Sequence, residues 1–379
     1  MKNQKLSFRK EYFGVLLYDP NNWSLKMLSK TKAKNFLHTT NKPLLIFNDP
    51  QKDFLSAPLK VFVSISASCN LHCKHCMIGK KRDQKNEMSF EEIKKVLKEL
   101  GEMGVFEVRL GGLEPTARND FEKIFAEAKK NNLTISINTN GVCSDELRKR
   151  LSESCVDRVH VSLDGLEANH DLIRCKGAFK SALKTIKVLK DKGKYVPIAV
   201  CLHKNNLVDI EGLLKIAEEF DCDIKFSPVT KIGSAEEMEG IFNKQECEAL
   251  KVQIDSISAK VNVFFNYGTM AKDFSDYCEI ADFDSTLCGA GRTQLRVENN
   301  GAVIMAGCGD LFSDILPLGT SKDSFKEMWK KSQNNMKELM REHGQKCVSC
   351  TIESVFSEWL AQPTPAFNFG RGDKNDKWG

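Results

Sequence analysis

The protein has 379 residues, a formal net charge of +5 at pH 7 and a mean hydropathy of −0.36. Its 41% apolar and 28% charged residues are typical of a folded protein with roughly two to three domains. No run of about 18 apolar residues is present, the first residues lack the apolar centre of a secretory signal, and the charge is mild. We therefore expect a cytoplasmic protein with no membrane span and no nucleic-acid partner.

Residues 1–55 are predicted to form a small N-terminal cap. Apolar residues 11–18 and 23–28 flank the turn segment DPNN (19–22), and this pattern predicts a hairpin. A short helix is expected over residues 31–38, with Thr31 as its candidate N-cap.

Strand-like and helix-like runs alternate over residues 56–270. Residues 89–103 carry apolar side chains at helical spacing, and Ser89 with Glu92 has the spacing of a capping box. Such alternation implies a parallel sheet with right-handed crossovers, so we predict an α/β fold, a partial (β/α)6 TIM-like barrel, with functional residues after its strands. The strands are expected at 61–66, 106–110, 134–138, 158–163, 196–202 and 223–227, and the helices at 89–103, 119–131, 144–153, 178–192 and 207–220.

Fourteen cysteines are unusual for a chain expected in a reducing compartment, and they indicate metal binding or catalysis before disulfides. Cys69, Cys73 and Cys76 follow the first barrel strand with the spacing C-x3-C-x2-C. Three thiolates in one loop suit three irons of a [4Fe–4S] cluster whose fourth iron accepts an outside ligand. Zinc stays open as the alternative, because His72 or His75 would complete a four-ligand site.

Three further motifs occupy successive strand ends of the predicted barrel. Strand two is followed by GGLEPT (111–116), strand three ends in NTNG (138–141), and strand four ends in SLDG (162–165), with His170 and Arg174 a few residues on. Taken singly, each motif is typical of a turn. Their order and their joint placement at strand ends favour one shared site.

In this order the motifs resemble those of the radical S-adenosylmethionine (SAM) superfamily over about residues 60–230. His75 stands where the family has an aromatic residue, and Leu113 where many relatives have Gly or Glu. The resemblance implies a [4Fe–4S] cluster on Cys69, Cys73 and Cys76 that binds SAM at its open iron. One electron then cleaves SAM, and the resulting 5′-deoxyadenosyl radical abstracts hydrogen from a substrate.

The same resemblance implies SAM contacts at the strand ends. Glu114 or the Gly112 backbone is expected to accept hydrogen bonds from the SAM amino group. Arg174 and Ser162 are expected to bind its carboxylate. The full set of predicted cofactor-binding residues is His75, Gly111, Gly112, Glu114, Asn140, Ser162, Asp164 and Arg174.

A second set of cysteines lies in residues 271–355, after the alternation stops. The predicted metal ligands there are Cys288, Cys308, Cys347 and Cys350. Four thiolates suit an iron–sulfur cluster or a structural zinc. An Asn-Gly hairpin turn and a helix over 323–341 separate them, an order that resembles the SPASM/twitch extension of radical SAM peptide-modifying enzymes. The further cysteines of that pattern are absent, which implies one auxiliary [4Fe–4S] cluster, with Cys278 as a substitute ligand.

The leading interpretation is a radical SAM maturase that cross-links, oxidises or epimerises a ribosomally made peptide, similar to the mycofactocin and pyrroloquinoline quinone maturases. Cys175 and Cys278 are candidate hydrogen donors for an epimerisation. The expected partners are a precursor peptide and an electron donor such as flavodoxin or ferredoxin.

Two alternative functions stay open. One is a radical SAM dehydrogenase of the sulfatase-maturase kind, acting on a protein side chain or a small molecule. The other is a non-catalytic zinc or iron–sulfur binding module. The cap in residues 1–55 is expected either to contact a peptide leader or only to cover the barrel mouth, and residues 356–379 are expected to form a polar tail.

Overall fold

The architecture comes from the computed structural model, which describes residues 5–11, 14–20, 24–28, 30–39, 44–47, 55–78, 86–229, 231, 233–265, 294–305, 318–342 and 367–368. The strands are β1 Leu6–Glu11, β2 Gly14–Asp19, β3 Ser24–Leu28, β4 Leu44–Phe47, β5 Lys60–Ser66, β6 Glu107–Gly112, β7 Thr134–Thr139, β8 Arg158–Ser162, β9 Ile198–Leu202, β10 Ile224–Pro228, β11 Val263–Phe265, β12 Gln294–Val297, β13 Ala302–Met305, β14 Gly319–Thr320 and β15 Phe367–Asn368. The α-helices are α1 Lys30–Thr39, α2 Phe90–Met103, α3 Phe121–Lys130, α4 Asp145–Glu153, α5 Glu167–Ile173, α6 Ala178–Asp191, α7 Ile210–Glu219, α8 Lys244–Asp255 and α9 Phe325–Glu342.

The main sheet contains the six predicted barrel strands, β5 to β10, side by side in chain order and all parallel. Strand β11 continues the parallel set beside β10, and β12 pairs in parallel with β5 on the other side. The complete order is β11-β10-β9-β8-β7-β6-β5-β12-β13-β14. The predicted α/β fold with a mostly parallel sheet is therefore confirmed, and the carboxyl ends of β5 to β10 lie at one edge.

Helix α2 shows how the sequence sets the helical layer. Ser89 is its N-cap, and the predicted capping box is present, since Ser89 Oγ accepts from Glu92 N while a Glu92 carboxylate oxygen accepts from Ser89 N. Gly104 ends the helix in the left-handed conformation that glycine adopts at low cost. The apolar face, which includes Ile93 and Leu97, is buried against the sheet, and each such side chain contributes roughly 1.5–3 kcal/mol.

Strands β1 to β4 form a separate small sheet together with β15, which lies in the segment predicted as a polar tail, in the order β15-β3-β2-β1-β4. Arg9 of β1 donates to the carbonyl oxygens of Pro58 (3.0 Å) and Gly104 (2.9 Å). Tyr18 of β2 stacks on Phe106 with ring centroids 5.1 Å apart. Pro58 lies just before β5, and Gly104 and Phe106 lie just before β6. The contacts therefore place the small sheet against the amino-terminal ends of these strands, opposite the cysteine loop.

Most predicted elements are confirmed within about two residues, including the β2–β3 hairpin and the hairpin of β12 and β13. Thr31 is not an N-cap, because α1 already begins at Lys30. Strands β1 and β4 were not predicted, and neither was the pairing of β12 with the barrel strand β5. The domain boundaries at 55, 270 and 355 and the SPASM/twitch-like extension stay predictions.

Candidate functional site

The loop after β5 carries the three closely spaced cysteines, each of them half-buried. Hydrogen-bond donors approach two of the thiols: Leu71 N lies 3.4 Å and Asn140 Nδ2 3.7 Å from Cys69 Sγ. Arg174 Nη1 lies 3.9 Å from Cys73 Sγ. N–H groups aimed at sulfur stabilise the thiolate form, which is the form that ligates metals.

The three thiols are not placed as ligands of one zinc ion. A tetrahedral zinc with Zn–S bonds of about 2.3 Å needs sulfur atoms about 3.8 Å apart. Among the residues that the structure describes, ligand atoms of His75, Asp164 and Cys201 all lie within 4.8 Å of one another, and the sulfur atoms of Cys69, Cys73 and Cys76 do not. Three thiolates in one loop match the ligand set of a [4Fe–4S] cluster with one open iron.

The two glycines that end β6 are required by close packing against β5, which leads into the cysteine loop. Gly112 has φ = +110°, and a Cβ atom there would lie 2.1 Å from Ser66 O. A Cβ on Gly111 would lie 2.8 Å from the Phe62 ring. Because both positions lack a side chain, Leu113 N donates to Ser66 O at 2.9 Å, and the end of β6 is joined to the start of the loop.

Glu114 connects this end of β6 to the end of β7. Its Oε1 accepts from Thr116 Oγ1 (2.7 Å) and Thr139 Oγ1 (2.9 Å), and its Oε2 accepts from Asn140 N (2.8 Å). Burial raises the pKa of Glu114, and these hydrogen bonds oppose that shift. Asn140 is thereby held beside the loop, where Nδ2 donates to Asn70 Oδ1 at 2.9 Å.

A buried ion pair lies at the end of β8, beneath the same loop. Arg174 Nε donates to Asp164 Oδ2 at 2.5 Å, and Arg174 Nη2 lies 3.4 Å from His75 Nε2. Asp164 Oδ1 accepts from Cys201 N of β9 at 2.8 Å, and Asp164 N donates to His170 Nδ1 at 2.9 Å. Arg174 therefore neutralises the charge of the Asp164 carboxylate. The same guanidinium group directs a second N–H towards Cys73 Sγ.

The ionisation of the site follows from burial and from this pair. Burial favours neutral Asp164, but Arg174 and His75 outweigh it and lower the pKa of Asp164. Burial lowers the pKa of His75 to about 4, so the ring is neutral at pH 7. Burial raises the pKa of Cys73 to about 11, so its ionisation depends on a bound metal.

Most of the predicted site residues meet at this edge of the sheet. Those in contact around the loop are Gly111, Gly112, Glu114, Asn140, Asp164, Arg174 and His75. Ser162 is the half-buried last residue of β8 and pairs with Ala199. Cys175 follows Arg174 and is half-buried. Five predicted residues lie outside the described part of the chain: Cys278, Cys288, Cys308, Cys347 and Cys350.

Cys201 is the site residue that sequence reasoning missed. Its apolar run suggests a core position, and its neighbours Val200 and Leu202 are indeed in the core. Alternation along β9 places Cys201 on the opposite face, within 4.8 Å of ligand atoms of His75 and Asp164. The two-residue period of the strand, read from its buried neighbours, is the signal that could have found it.

Comparison with known proteins agrees with this geometry. Residues 63–217 match the model of the radical SAM superfamily. The chain is 29% identical over 182 residues to mycofactocin maturase MftC of Mycolicibacterium smegmatis, covering 47% of this chain and 46% of that protein, about half its length. It is 26% identical over 288 residues to MftC of Mycobacterium tuberculosis strain H37Rv, covering 73% and 72%.

The fold also matches a solved structure over nearly its whole length. Streptococcus suis SuiB bound to S-adenosylmethionine superposes with a TM-score of 0.71 at 16% identity, covering 98% of both chains. The likeness to SuiB shows the fold, and the family match shows a radical SAM domain over residues 63–217, as the motifs at the strand ends predicted. In the described part of the chain, no helix has the length and apolar character needed to cross a membrane.

Proposed function

We propose that this protein is a radical SAM enzyme that modifies a ribosomally made peptide. The observation that carries the proposal is the loop after β5, where three thiols lie beside Asn140 and the Asp164–Arg174 pair. The relatives support the peptide substrate, because two are named mycofactocin maturase and SuiB has been solved bound to the precursor peptide SuiA.

The residues of the site would hold a [4Fe–4S] cluster and SAM. Cys69, Cys73 and Cys76 would ligate iron, and Asn140 and Arg174 would donate to two of the sulfur atoms. Glu114 would hold the end of β7 in place and present a carboxylate towards the SAM amino group. A reduced cluster and SAM bound there would supply one-electron radical chemistry that ends in removal of a hydrogen atom from the substrate.

We further propose an auxiliary cluster, an electron donor and a class of reaction on the peptide. Cys288, Cys308, Cys347 and Cys350 would hold one auxiliary [4Fe–4S] cluster, and a flavodoxin or ferredoxin would supply electrons. The reaction on the peptide would be a cross-link, an oxidation or an epimerisation. Arg174 already contacts Asp164 and Cys73, so its proposed contact with the SAM carboxylate would use the same guanidinium that orients the cysteine loop.

The test is SAM cleavage by the full-length protein after anaerobic reconstitution with iron and sulfide. With dithionite as reductant, we expect 5′-deoxyadenosine from the wild type and none from Cys69→Ala, Cys73→Ala or Cys76→Ala. Cys155→Ala is the matched control, because Cys155 is exposed and outside the site, and it should retain cleavage. Retained cleavage in the three loop variants would overturn the assignment.

A peptide substrate is tested separately from the radical chemistry. The enzyme is incubated with the product of a short reading frame beside its gene, and a mass change that requires SAM supports the maturase. SAM cleavage without any peptide change, but with oxidation of a protein side chain or a small molecule, would favour the dehydrogenase alternative. A protein that binds metal and never cleaves SAM would be a non-catalytic module.

A further inference from the structure

Charged side chains line the inner face of the barrel, in the half nearer the amino-terminal strand ends. We call Lys60, Glu107, Arg109, Arg158 and Lys225 the lumen cluster. Their neighbours on the same strands, such as Val61, Val108 and Ile224, belong to the hydrophobic core outside the sheet. Since side chains alternate along a strand, the charged set faces the barrel interior.

The cluster converges across the interior. Lys60 on β5 and Lys225 on β10 are separated by four strands, which in a flat sheet would place them about 24 Å apart. Two side chains reach across strands: Lys60 Nζ on β5 lies 2.7 Å from Glu107 Oε1 on β6, and Arg109 Nη2 on β6 lies 3.5 Å from His160 Nε2 on β8. Lys60, Arg109 and Arg158 also add to the effect of burial in lowering the pKa of Lys225. These cations are therefore directed towards a common space.

Positive charge exceeds negative charge in this space. The described residues of the cluster include four cations and one carboxylate, that of Glu107. Glu107 Oε1 already accepts from Lys60 Nζ at 2.7 Å and from Ser136 Oγ at 2.6 Å. Among the residues with described positions, none accepts a hydrogen bond from the buried Nε of Arg109, and its Nη2 lies 3.5 Å from His160 Nε2. A buried guanidinium donor left without an acceptor costs free energy that an anion would recover.

The lumen cluster lies deeper between the strands than the cysteine loop. Arg109 lies three residues before Gly112, which corresponds to about 10 Å along β6. Arg109 and Lys225 are half-buried, and the Lys60 side chain is 14% exposed, so space remains around them. At the opposite end, the small N-terminal sheet packs against the barrel through Tyr18 and Phe106.

We propose that the lumen cluster binds a carboxylate of the substrate, so that the peptide segment delivered to the radical site carries an acidic side chain or a free C-terminal carboxylate. This inference rests on the proposed function and names the substrate class that it takes. The geometry assigns Arg109 and Lys225 as the principal contacts, since Lys60 already pairs with Glu107.

The experiment uses the reconstituted full-length enzyme and three small peptides as probes. Ac-Gly-Glu-Gly-NH2 carries a side-chain carboxylate, Ac-Gly-Gln-Gly-OH a terminal one, and Ac-Gly-Gln-Gly-NH2 neither. At pH 6.5 we expect at least one carboxylate peptide to bind about tenfold or more tightly than the neutral peptide, as charged hydrogen bonds predict. Arg109→Gln and Lys225→Gln should each remove that preference. Lys215→Gln, which removes an exposed cation from α7, should leave it unchanged.

The outcomes separate this inference from the proposed function. Equal binding of all three peptides, no binding of any, or a preference that survives both lumen variants would overturn it. Inorganic phosphate that binds as tightly as the peptides and displaces them would make the cluster a site for a free anion and would also overturn it. SAM cleavage is measured in the same samples. If the wild type does not cleave SAM, the radical SAM function is contradicted and the carboxylate inference is not. If both lumen variants still cleave SAM but no longer prefer the carboxylate peptides, the carboxylate site acts separately from SAM cleavage. Circular dichroism of each variant confirms that it is folded.

Discussion

Arg174 and Asp164 form a buried ion pair in which Nε donates to Oδ2 at 2.5 Å, with the Arg174 side chain 7% exposed and the Asp164 side chain fully buried. The pair joins two strand ends to the cysteine loop, because Asp164 also accepts from Cys201 N and Arg174 also approaches Cys73 Sγ. The pair gives a structural reason for the Asp-Gly motif at the end of β8 and for the arginine ten residues after it.

Removing one partner of this pair should be costly. Arg174→Met leaves the Asp164 carboxylate buried without its cation, which predicts a loss of about 3–5 kcal/mol in the free energy of unfolding. Urea unfolding of the metal-free protein measures it. The double variant Asp164→Asn/Arg174→Met should recover part of the loss, because no buried charge remains. Equal stability of Arg174→Met and wild type would contradict the role of the pair.

Gly112 should not tolerate a side chain. Gly112→Ala combines a φ of +110° with a Cβ atom 2.1 Å from Ser66 O, so the end of β6 must separate from the cysteine loop. We expect a loss of stability above about 2 kcal/mol, and reduced iron binding after reconstitution. Gly177→Ala is the matched control, because φ is +82° there and no atom of the described part of the chain lies within 4 Å of the new Cβ. It should cost only about 1–2 kcal/mol, the cost of the left-handed conformation. Similar losses in both variants would show that the contact with Ser66 is unimportant.

The lumen cluster predicts a pH dependence of stability. Burial, followed by Arg109, Lys60 and Arg158, lowers the pKa of Lys225 to about 7. Between pH 7 and about 10.4 the unfolded chain therefore binds more protons at this residue than the folded one, so stability rises with pH over that window. Replacing Lys225 by Met removes the cost of burying the charged ammonium group. At pH 6.5 the free energy of unfolding of the variant should exceed that of the wild type by about 2–4 kcal/mol.

That advantage should shrink as the pH approaches 10, and urea unfolding at pH 6.5 and 9.5 measures the change. The other groups facing Lys225 are Lys60, Glu107, Arg109, Arg158 and His160. Burial and Arg109 lower the pKa of Lys60 to about 8, but this residue is present in both proteins and its contribution largely cancels. A pH-independent difference between variant and wild type would contradict the electrostatic account.

Local signals in the sequence predicted the parallel sheet and its helices well. The alternation of apolar strands and amphipathic helices, and the capping box at Ser89, depend on neighbours a few residues away, and these elements were correct. The addition of β12 beside β5 was not predictable in the same way, because it joins segments more than 200 residues apart. The same limit applies to the small N-terminal sheet, where β1 pairs with β4 as well as with its neighbour β2.

In the candidate site too, local motifs were predictable from the sequence, whereas the contacts between them were not. Motif spacing predicted Cys69, Glu114 and Asp164 as site residues, because each follows a strand end. The network among them, such as Glu114 holding Asn140 beside Cys69, depends on side-chain packing that a motif does not specify. The lumen cluster was missed because its cations are spread over four strands and form one surface only when the sheet curves.

The most direct measurement of the central claim is low-temperature electron paramagnetic resonance of the reduced, reconstituted protein with and without SAM. We predict a reduced [4Fe–4S] signal that shifts when SAM is added, because SAM would bind the open iron beside Cys69, Cys73 and Cys76. The shift should be absent in the variant lacking these three cysteines. A spectrum that SAM leaves unchanged in the wild type would contradict the account.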